Sequence, residues 1–448
     1  MSRERRYVPE MVTLLRAGEL AAFAARAHDL EAADLAEVFA ELEDDERVVA
    51  VKALPPELSG EARAEMPESE HAEETLAALE PEEAAEIVDQ LDDDDAADLL
   101  GELDPEDQEA ILAEVEDPRD VTALLSYDPE TAGGRMTSTV MAVQDVFTAG
   151  QAIADIRRQA EDVEDFYQVF VVDERHRLVG VLPLKDLVIS APDRRVRDFM
   201  ADADIAVTPD VDQEEVARLM ARYNLPSVPV VNAERRLLGR VTFDDVSDVV
   251  EAENTEDMLQ FAGVSADEEL DASWRPSVRS RLPWLLVNLF TAFAAKSVID
   301  AQQDIISTVP LIAAWLGVVA GMGGNAGTQA LAVTVRRLAL NLTAPGDAMR
   351  IIGKELTVGF VNGLACGAIV AAVGLVTQGH TGAMLGLVVG VSMVGNLIVA
   401  SIAGATIPLL LHRFKIDPAI ASSIFVTTFT DVFGFGLVLL FTRWLLLG

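Results

Sequence analysis

Four uncharged stretches fill most of the last third of the chain: residues 282–295, 305–335, 356–411 and 418–442, the last interrupted by one charge, Asp431. A helix needs about 20 apolar residues to cross a bilayer, so the third stretch is too long for one helix. The sequence TQGHTG at residues 377–382 supplies a turn within it. Five spans result, the first of them short, with Lys296 snorkelling from its far end. A lone carboxylate inside a span costs roughly 2.5–3.5 kcal/mol to insert, so Asp431 needs a reason to be there.

The rest of the chain lives in another solvent. Residues 1–270 carry 68 acidic and 23 basic side chains, residues 271–448 seven acidic and eleven basic. So acidic a soluble region repels nucleic acid and attracts cations, which excludes a DNA or RNA partner. With 5 Lys against 29 Arg, the same excess is also what a salt-adapted surface would show. The single cysteine, Cys366, lies in an apolar run and can form no intrachain disulfide. MSRERRYVPEMVTLLRAGEL at the start has charge but no apolar core, so no cleaved signal peptide is expected.

From Leu30 the chain repeats every twelve residues: LEAADLAEVFAEL, LEDDERVVAVKAL, LPPELSGEARAEM and, after a slip, LEPEEAAEIVDQL, LDDDDAADLLGEL and LDPEDQEAILAEV. Acidic residues and Pro suit a helix N-terminus, and the later Leu, Ile and Val positions give each unit a two-turn apolar face. Helices that short are unstable alone and must stack, which predicts an all-α superhelical domain over residues 1–132. The run Asp92–Asp95 lacks the Gly at position six and the Glu at position twelve of an EF-hand, so it reads as a solvated cap.

After a glycine pair expected to act as a hinge, Gly133 and Gly134, FVVDERHRLVGVLPLKDLV at residues 170–188 recurs as PVVNAERRLLGRVTFDDVS at residues 229–247, offset by 59. Val171/Val230, Val172/Val231, Gly180/Gly239 and Asp186/Asp245 correspond, and each copy reads strand, turn, strand, helix start. This resembles a tandem pair of CBS domains, an α/β module placed at residues 133–250. The resemblance implies a nucleotide- or ion-responsive unit, with an adenine nucleotide as one candidate ligand.

DDVSDVVEAENTEDMLQFAGV then forms an acidic connecting helix, assigned to residues 251–274 with its acidic face beginning at Asp245. Asp248, Glu251 and Asp245 share one face, with Glu256 and Asp257 further on. Like charges so spaced need solvent, salt or a divalent cation for relief. Residues 275–448 form the membrane domain. There AGMGGNAGTQ, residues 320–329, crowds glycines with Asn325 and Gln329 and is expected to interrupt its helix. Polar backbone at that depth is tolerated only inside protein or along a wet path. Neutral oxygens there, with the charge of Asp431, make hard-cation ligands or ligands for a cation's water shell. Glycines four apart, Gly359/Gly363/Gly367 and Gly382/Gly386/Gly390, allow close helix packing. Arg and Lys flank one side of the spans, which places the acidic domains in the cytosol and the C-terminus outside.

An acidic helical N-terminal domain, a tandem CBS pair, an acidic connecting helix and spans carrying GMGGNAGTQ and SSIFVTTFTDVFGF resemble, in that order, the MgtE family of magnesium channels. The resemblance implies a homodimer in the cell membrane, not an enzyme, with one pore on the twofold axis passing hydrated Mg2+. It also implies closure by cytosolic Mg2+ bridging acidic groups. Pore residues carry over to Asp431, Asn325 and the segment holding Thr427, Thr428 and Thr430. Regulatory metal ligands carry over to Asp245, Asp248, Glu251, Glu256, Asp257 and Asp417. An intramembrane aspartyl protease needs two opposed carboxylates, and the spans offer Asp431 alone. A proton- or sodium-coupled divalent cation transporter would suit one buried carboxylate and stays open as the alternative, its sign being paired interrupted helices.

Overall fold

The computed structural model describes residues 7–66, 72–160, 166–265, 274–340, 342, 346–416 and 418–447, leaving out the side chains of 257, 377–381 and 418–422. Contacts divide the chain into two compact units, Met1–Glu253 and Asn254–Gly448.

The first unit opens with short helices, α1 (Tyr7–Arg16) to α10 (Arg119–Leu124), of which α3 (Ala32–Ala40), α4 (Asp44–Ala53), α5 (Pro56–Ala64), α7 (Pro81–Val88), α8 (Asp93–Gly101) and α9 (Pro105–Leu112) follow the twelve-residue repeat. Each of these begins on the acidic or Pro-containing turn of its unit. In α4 and α7 a Glu at N3 reaches back to close a capping box. No helix here is long enough to stand alone, and their apolar faces merge into one core that includes Phe23, Leu35, Phe39, Leu76 and Leu100. That core continues through Ala132 and Met136 into Val228, Val230 and Val241, so the helical layer and the second half of the following module are one packed body.

The following module contains β1 (Ala142–Gln144), α11 (Ala149–Gln159), β2 (Gln168–Val172), β3 (Leu178–Pro183), α12 (Leu184–Ile189), β4 (Ala201–Asp202), α13 (Gln213–Tyr223), β5 (Ser227–Val231) and β6 (Leu237–Thr242). β1 to β4 pair in sequence order, β1 parallel to β2 and the rest antiparallel, while β5 and β6 form a second antiparallel pair. The 59-residue offset survives in fine detail. His176 and Arg235 both take positive φ, both hairpins carry a bulge, and Asp173 and Asn232 cap equivalent turns. Across the repeats Leu178 N–H donates to Arg235 and Leu237 N–H to His176. Gly133 and Gly134 are not a hinge: a Cβ at Gly134 would stand 2.5 Å from the Asp128 carbonyl, and one at Gly133 2.7 Å from the Tyr127 ring. They are small because the chain folds back tightly there.

α14 (Phe243–Phe261) begins directly at the end of β6 and runs unbroken past residue 253. The second unit holds α15 (Trp274–Asp300), α16 (Gln303–Thr308), α17 (Ile312–Ala339), α18 (Ala348–Arg413) and α19 (Pro418–Leu446). Among the described residues four segments are long and apolar enough to cross a membrane: Trp274–Asp300, Ala348–Val376, Gly382–Arg413 and Ser423–Leu446. α17 is 28 residues long but is not one of these. Lys296 does not extend alone from α15; it pairs with Asp300 one turn on.

The helical run α18 doubles back on itself. Gly374 meets Gly386, Gly367 meets Gly390, Gly363 meets Val394 and Gly359 meets Ser401, a ladder only two antiparallel legs can make. The turn expected at residues 377–382 falls between those legs, where the side chains of 377–381 lie outside the described set. A Cβ at Gly367 would come within 2.6 Å of the Gly390 carbonyl, whereas one at Gly353 meets nothing within 4 Å. Gly367→Leu should therefore destabilise the second unit by about 1–3 kcal/mol, read as a lower Tm in detergent, and Gly353→Ala should not. Equal Tm values for the two variants would refute the seam.

Candidate functional site

α19 carries the membrane carboxylate. Apolar residues on most of its faces and β-branched Thr on one allow it to continue unbroken past Gly434 and Gly436. Asp431 is half-buried, and among the described residues nothing donates to it or pairs with it. The nearby hydroxyls are turned away from it. Thr427 Oγ1 donates to the Ser423 carbonyl at 2.9 Å, Thr428 Oγ1 to Ile424 at 2.7 Å, and Thr430 Oγ1 to Thr427 at 2.9 Å. Among the described residues neither Thr427 nor Thr430 donates to Asp431. Thr427 and Thr428 sit one turn before Asp431 on its own face. Thr430 is fully buried against Gly323 of α17 and does not share that exposure. A cavity of about 130 Å³ opens beside Thr427, bounded by Trp284 and Asn288 of α15 and by Gly263.

The glycines of α17 do not break it. They sort by face: Gly323 and Gly327 pack against Asn396, Val426 and Thr430, while Cβ atoms at Gly317, Gly321 and Gly324 would meet nothing within 4 Å. Asn325 is exposed on the open side, next to that glycine face. The expected interruption is absent because small residues let neighbours approach without unwinding the backbone. A second carboxylate also escaped the sequence reading. Glu355 lies inside the Ala348–Val376 segment, is 5% exposed and pairs with Lys354 at 3.1 Å.

The first unit gathers acids from elements far apart in sequence. α8 (Asp93–Gly101) starts on the run read as a solvated cap, and that reading is overturned. Asp93 accepts from Thr137 Oγ1 at 2.6 Å and from the Ser138 amide at 3.0 Å, tying α8 to the strand module. Asp94 is buried, with Oδ1 lacking a hydrogen-bond partner among the described residues. Burial, then Asp245, raises its pKa well above the ordinary range. Burial and Asp245 likewise lift Asp95 to about 7. Asp245, at the start of α14, is lifted to about 6 by burial, although the Thr242 amide and hydroxyl bond its carboxylate and oppose the rise. Glu65 is raised by burial and by Asp248 and Asp244.

A second acidic contact lies on the same helix. Arg135 joins Asp98 at 2.8 Å to Gln213 at 3.2 Å, and Gln213 donates to Glu253 of α14 at 2.7 Å. Glu214, half-buried, is raised to about 7 by that burial and then by Glu253. Of the expected ligands, Asp245 is thus inside the cluster, and Asp248 is exposed within electrostatic reach of Glu65. Glu251 is exposed further along α14, and Glu256 bonds Gln260. Asp417 and the side chain of Asp257 lie outside the described residues. Asp94, Asp95, Glu65 and Glu214 were missed because their partners are remote in sequence. Among the described residues no three such groups converge tightly enough to hold a bare ion. The orphaned Asp94 oxygen and the acids around it suit a cation that keeps much of its water.

Helices long and apolar enough to cross a membrane, one of them bearing a carboxylate unpartnered among the described residues, and a strongly acidic first unit are the features expected of a divalent cation transporter. Residues 316–441 match the MgtE divalent cation transporter family, 30–130 the MgtE intracellular N domain and 196–252 the CBS domain. The chain is 38% identical over 336 residues to magnesium transporter MgtE of Thermus thermophilus, covering 74% of each chain. It is 35% identical to magnesium transporter MgtE of Bacillus subtilis, covering 70% of each. The crystal structure of the cytosolic domain of the Mg2+ channel MgtE in complex with ATP aligns with 54% of this chain and 99% of its own, at 37% identity and a TM-score of 0.51. The chain belongs to the MgtE family.

The raised carboxyls give a pH signature. Their folded values exceed the unfolded value of 3.8, so the folded state binds the extra protons. Without divalent ions the first unit should be least stable above about pH 7 and gain stability as pH falls through 7 and 6. Amide exchange across residues 92–98 should slow from pH 8 to pH 5.5, after correction for intrinsic rates. Asp95→Asn should flatten the response, and an unchanged slope in that variant would refute the coupling.

Proposed function

We propose that the protein is a Mg2+-selective channel, built as a homodimer in the cell membrane and closed by cytosolic Mg2+. The observation that carries this is the partnerless carboxylate of Asp431 within a helix that crosses the bilayer. It must find its counter-charge in what passes. Five spans are proposed, α17 being the fifth: although less apolar, it packs along α18 and α19 and carries Asn325 on its open face. One carboxylate per chain half-balances a divalent ion, and a twofold axis supplies the other half. Mg2+ sheds water reluctantly, so Asp431, with Asn325 and backbone oxygens near Thr427 and Thr428, grips its hydration shell. On this reading the N-terminal helices stack as a superhelix in the cytosol, the C-terminus lies outside, and no chemical reaction is catalysed.

Closure is proposed to use the acids of the first unit. Asp94, Asp95 and Asp245, with Asp248 and Glu251, repel one another until divalent cations bridge them, and Glu256, Asp257 and Asp417 of the second unit are proposed as further ligands for such cations. The relative's cytosolic domain takes ATP, and an adenine nucleotide is proposed at the CBS pair here. Of the two equivalent carboxylates, Asp245 is engaged by Thr242, whereas the side chain of Asp186 has no recorded partner among the described residues and suits a ribose hydroxyl. Coupled transport loses its sequence sign, because α17 and α19 are both unbroken.

Two measurements test this. Millimolar Mg2+ should slow proteolysis near residues 245–260 more than a monovalent salt of equal ionic strength, and Asp248→Asn with Glu251→Gln should leave the pore open at high internal Mg2+. Equal protection by the two salts would reduce the acid excess to salt adaptation. Asp431→Asn keeps the shape and removes the charge, so Mg2+ flux and divalent-over-monovalent selectivity in liposomes should both collapse. Survival of both in folded protein would remove Asp431 from the pore.

A further inference from the structure

Asn396 lies on the second leg of α18 and is fully buried in the membrane unit. Its Nδ2 donates to the Val319 carbonyl of α17 at 2.9 Å, an oxygen whose ordinary helical partner is the amide of Gly323. Both neighbouring helices are hollowed to receive it. A Cβ at Gly323 would collide with Nδ2, and one at Gly434 of α19 would stand 2.8 Å from Nδ2 and 3.3 Å from Oδ1. Oδ1 itself is buried without a hydrogen-bond partner among the described residues. Leu or Ala would serve for packing alone in this apolar surround, whereas a buried amide carries a desolvation cost it only partly recovers.

The position of the contact matters. Gly323 stands two residues before Asn325, and Gly434 one turn after Asp431. A single side chain from a helix that holds no candidate pore residue therefore locks together the two helices that do.

We propose that Asn396 is a positioning residue of the permeation path, which sets the spacing of α17 and α19 by holding the Val319 carbonyl and filling the gap between Gly323 and Gly434. It does not touch the ion. It fixes how far Asp431 and Asn325 stand from a hydrated divalent cation, and so acts on selectivity more than on the presence of a pore. The inference rests on the channel reading above.

The test is permeability of the full-length protein in liposomes, scored only on monodisperse material. Asn396→Leu, with the same branched shape but bulkier and without the amide, should lower the Mg2+-over-K+ permeability ratio roughly tenfold while monovalent flux persists, because misplacing supporting groups by a fraction of an ångström loosens a site without abolishing it. Gly434→Ala should do the same, its Cβ striking the amide. Asn396→Ala combined with Gly434→Ala should be no more selective than Gly434→Ala alone, since relieving the collision does not restore the amide's hold on the Val319 carbonyl. If Asn396→Leu does not assemble, the Gly434 pair decides. An unchanged ratio in Asn396→Leu, or a double variant more selective than Gly434→Ala, overturns the proposal. Unaltered protein that passes no Mg2+ overturns the channel reading, and this inference falls with it.

Discussion

Carboxylates held away from water demand a counter-charge, and the protein imposes that condition twice. In the soluble unit Asp94, Asp95 and Asp245 are brought together by folding, and their raised pKa values register the strain as a demand for protons. In the membrane unit a carboxylate stands where water is scarce. A proton satisfies either site by cancelling charge. A divalent cation satisfies the first by bridging, and can satisfy the second only if two carboxylates face it. On the reading proposed above, affinity for the same ion at both places would let one species be cargo and signal.

What makes the soluble demand consequential is the element on which it falls. Asp245 opens α14, and Glu253, held by Gln213, sits two turns further along the same unbroken helix. Asp93 meanwhile fastens α8 to Thr137 and Ser138. The acids from α8 are thus anchored by hydrogen bonds to the strand module and cannot drift away from Asp245 to relieve repulsion. On the closure mechanism proposed above, relief comes from a ligand or from movement of α14, and that helix is then the element an ion would bias.

The module order, the 59-residue repeat and four of the five expected spans were legible because each is written in local periodicity. The repeat was clearest: positive φ at His176 and Arg235 and paired bulges follow from a turn chemistry that recurs in the sequence. The acid cluster was not legible. Asp92–Asp95 looks like any acidic N-cap until the chain folds residue 245 against it, and no local pattern records a contact about 150 residues away. The glycine-rich run of α17 misled in the opposite sense. Read locally, its glycines weaken a helix; in the fold they admit Asn396, Val426 and Thr430, and the packing they permit outweighs the propensity they lose.

That exchange explains why the membrane unit can afford a charged residue at all. Gly404 lies against the Gly327 carbonyl, Gly323 and Gly434 close on Asn396, and the glycine ladder of α18 joins its two legs. Side chains that would keep these helices apart are missing, so backbones approach closely and the helices resist small displacements. A flexible support would let Asp431 relax toward any available donor, and Thr427, Thr428 and Thr430 are within a turn of it. Instead their hydroxyls are spent on carbonyls of α19 itself. Among the described residues the carboxylate is left without a partner because the hydroxyls nearest to it are already satisfied, and on the channel reading proposed above it is then free to meet a passing ion.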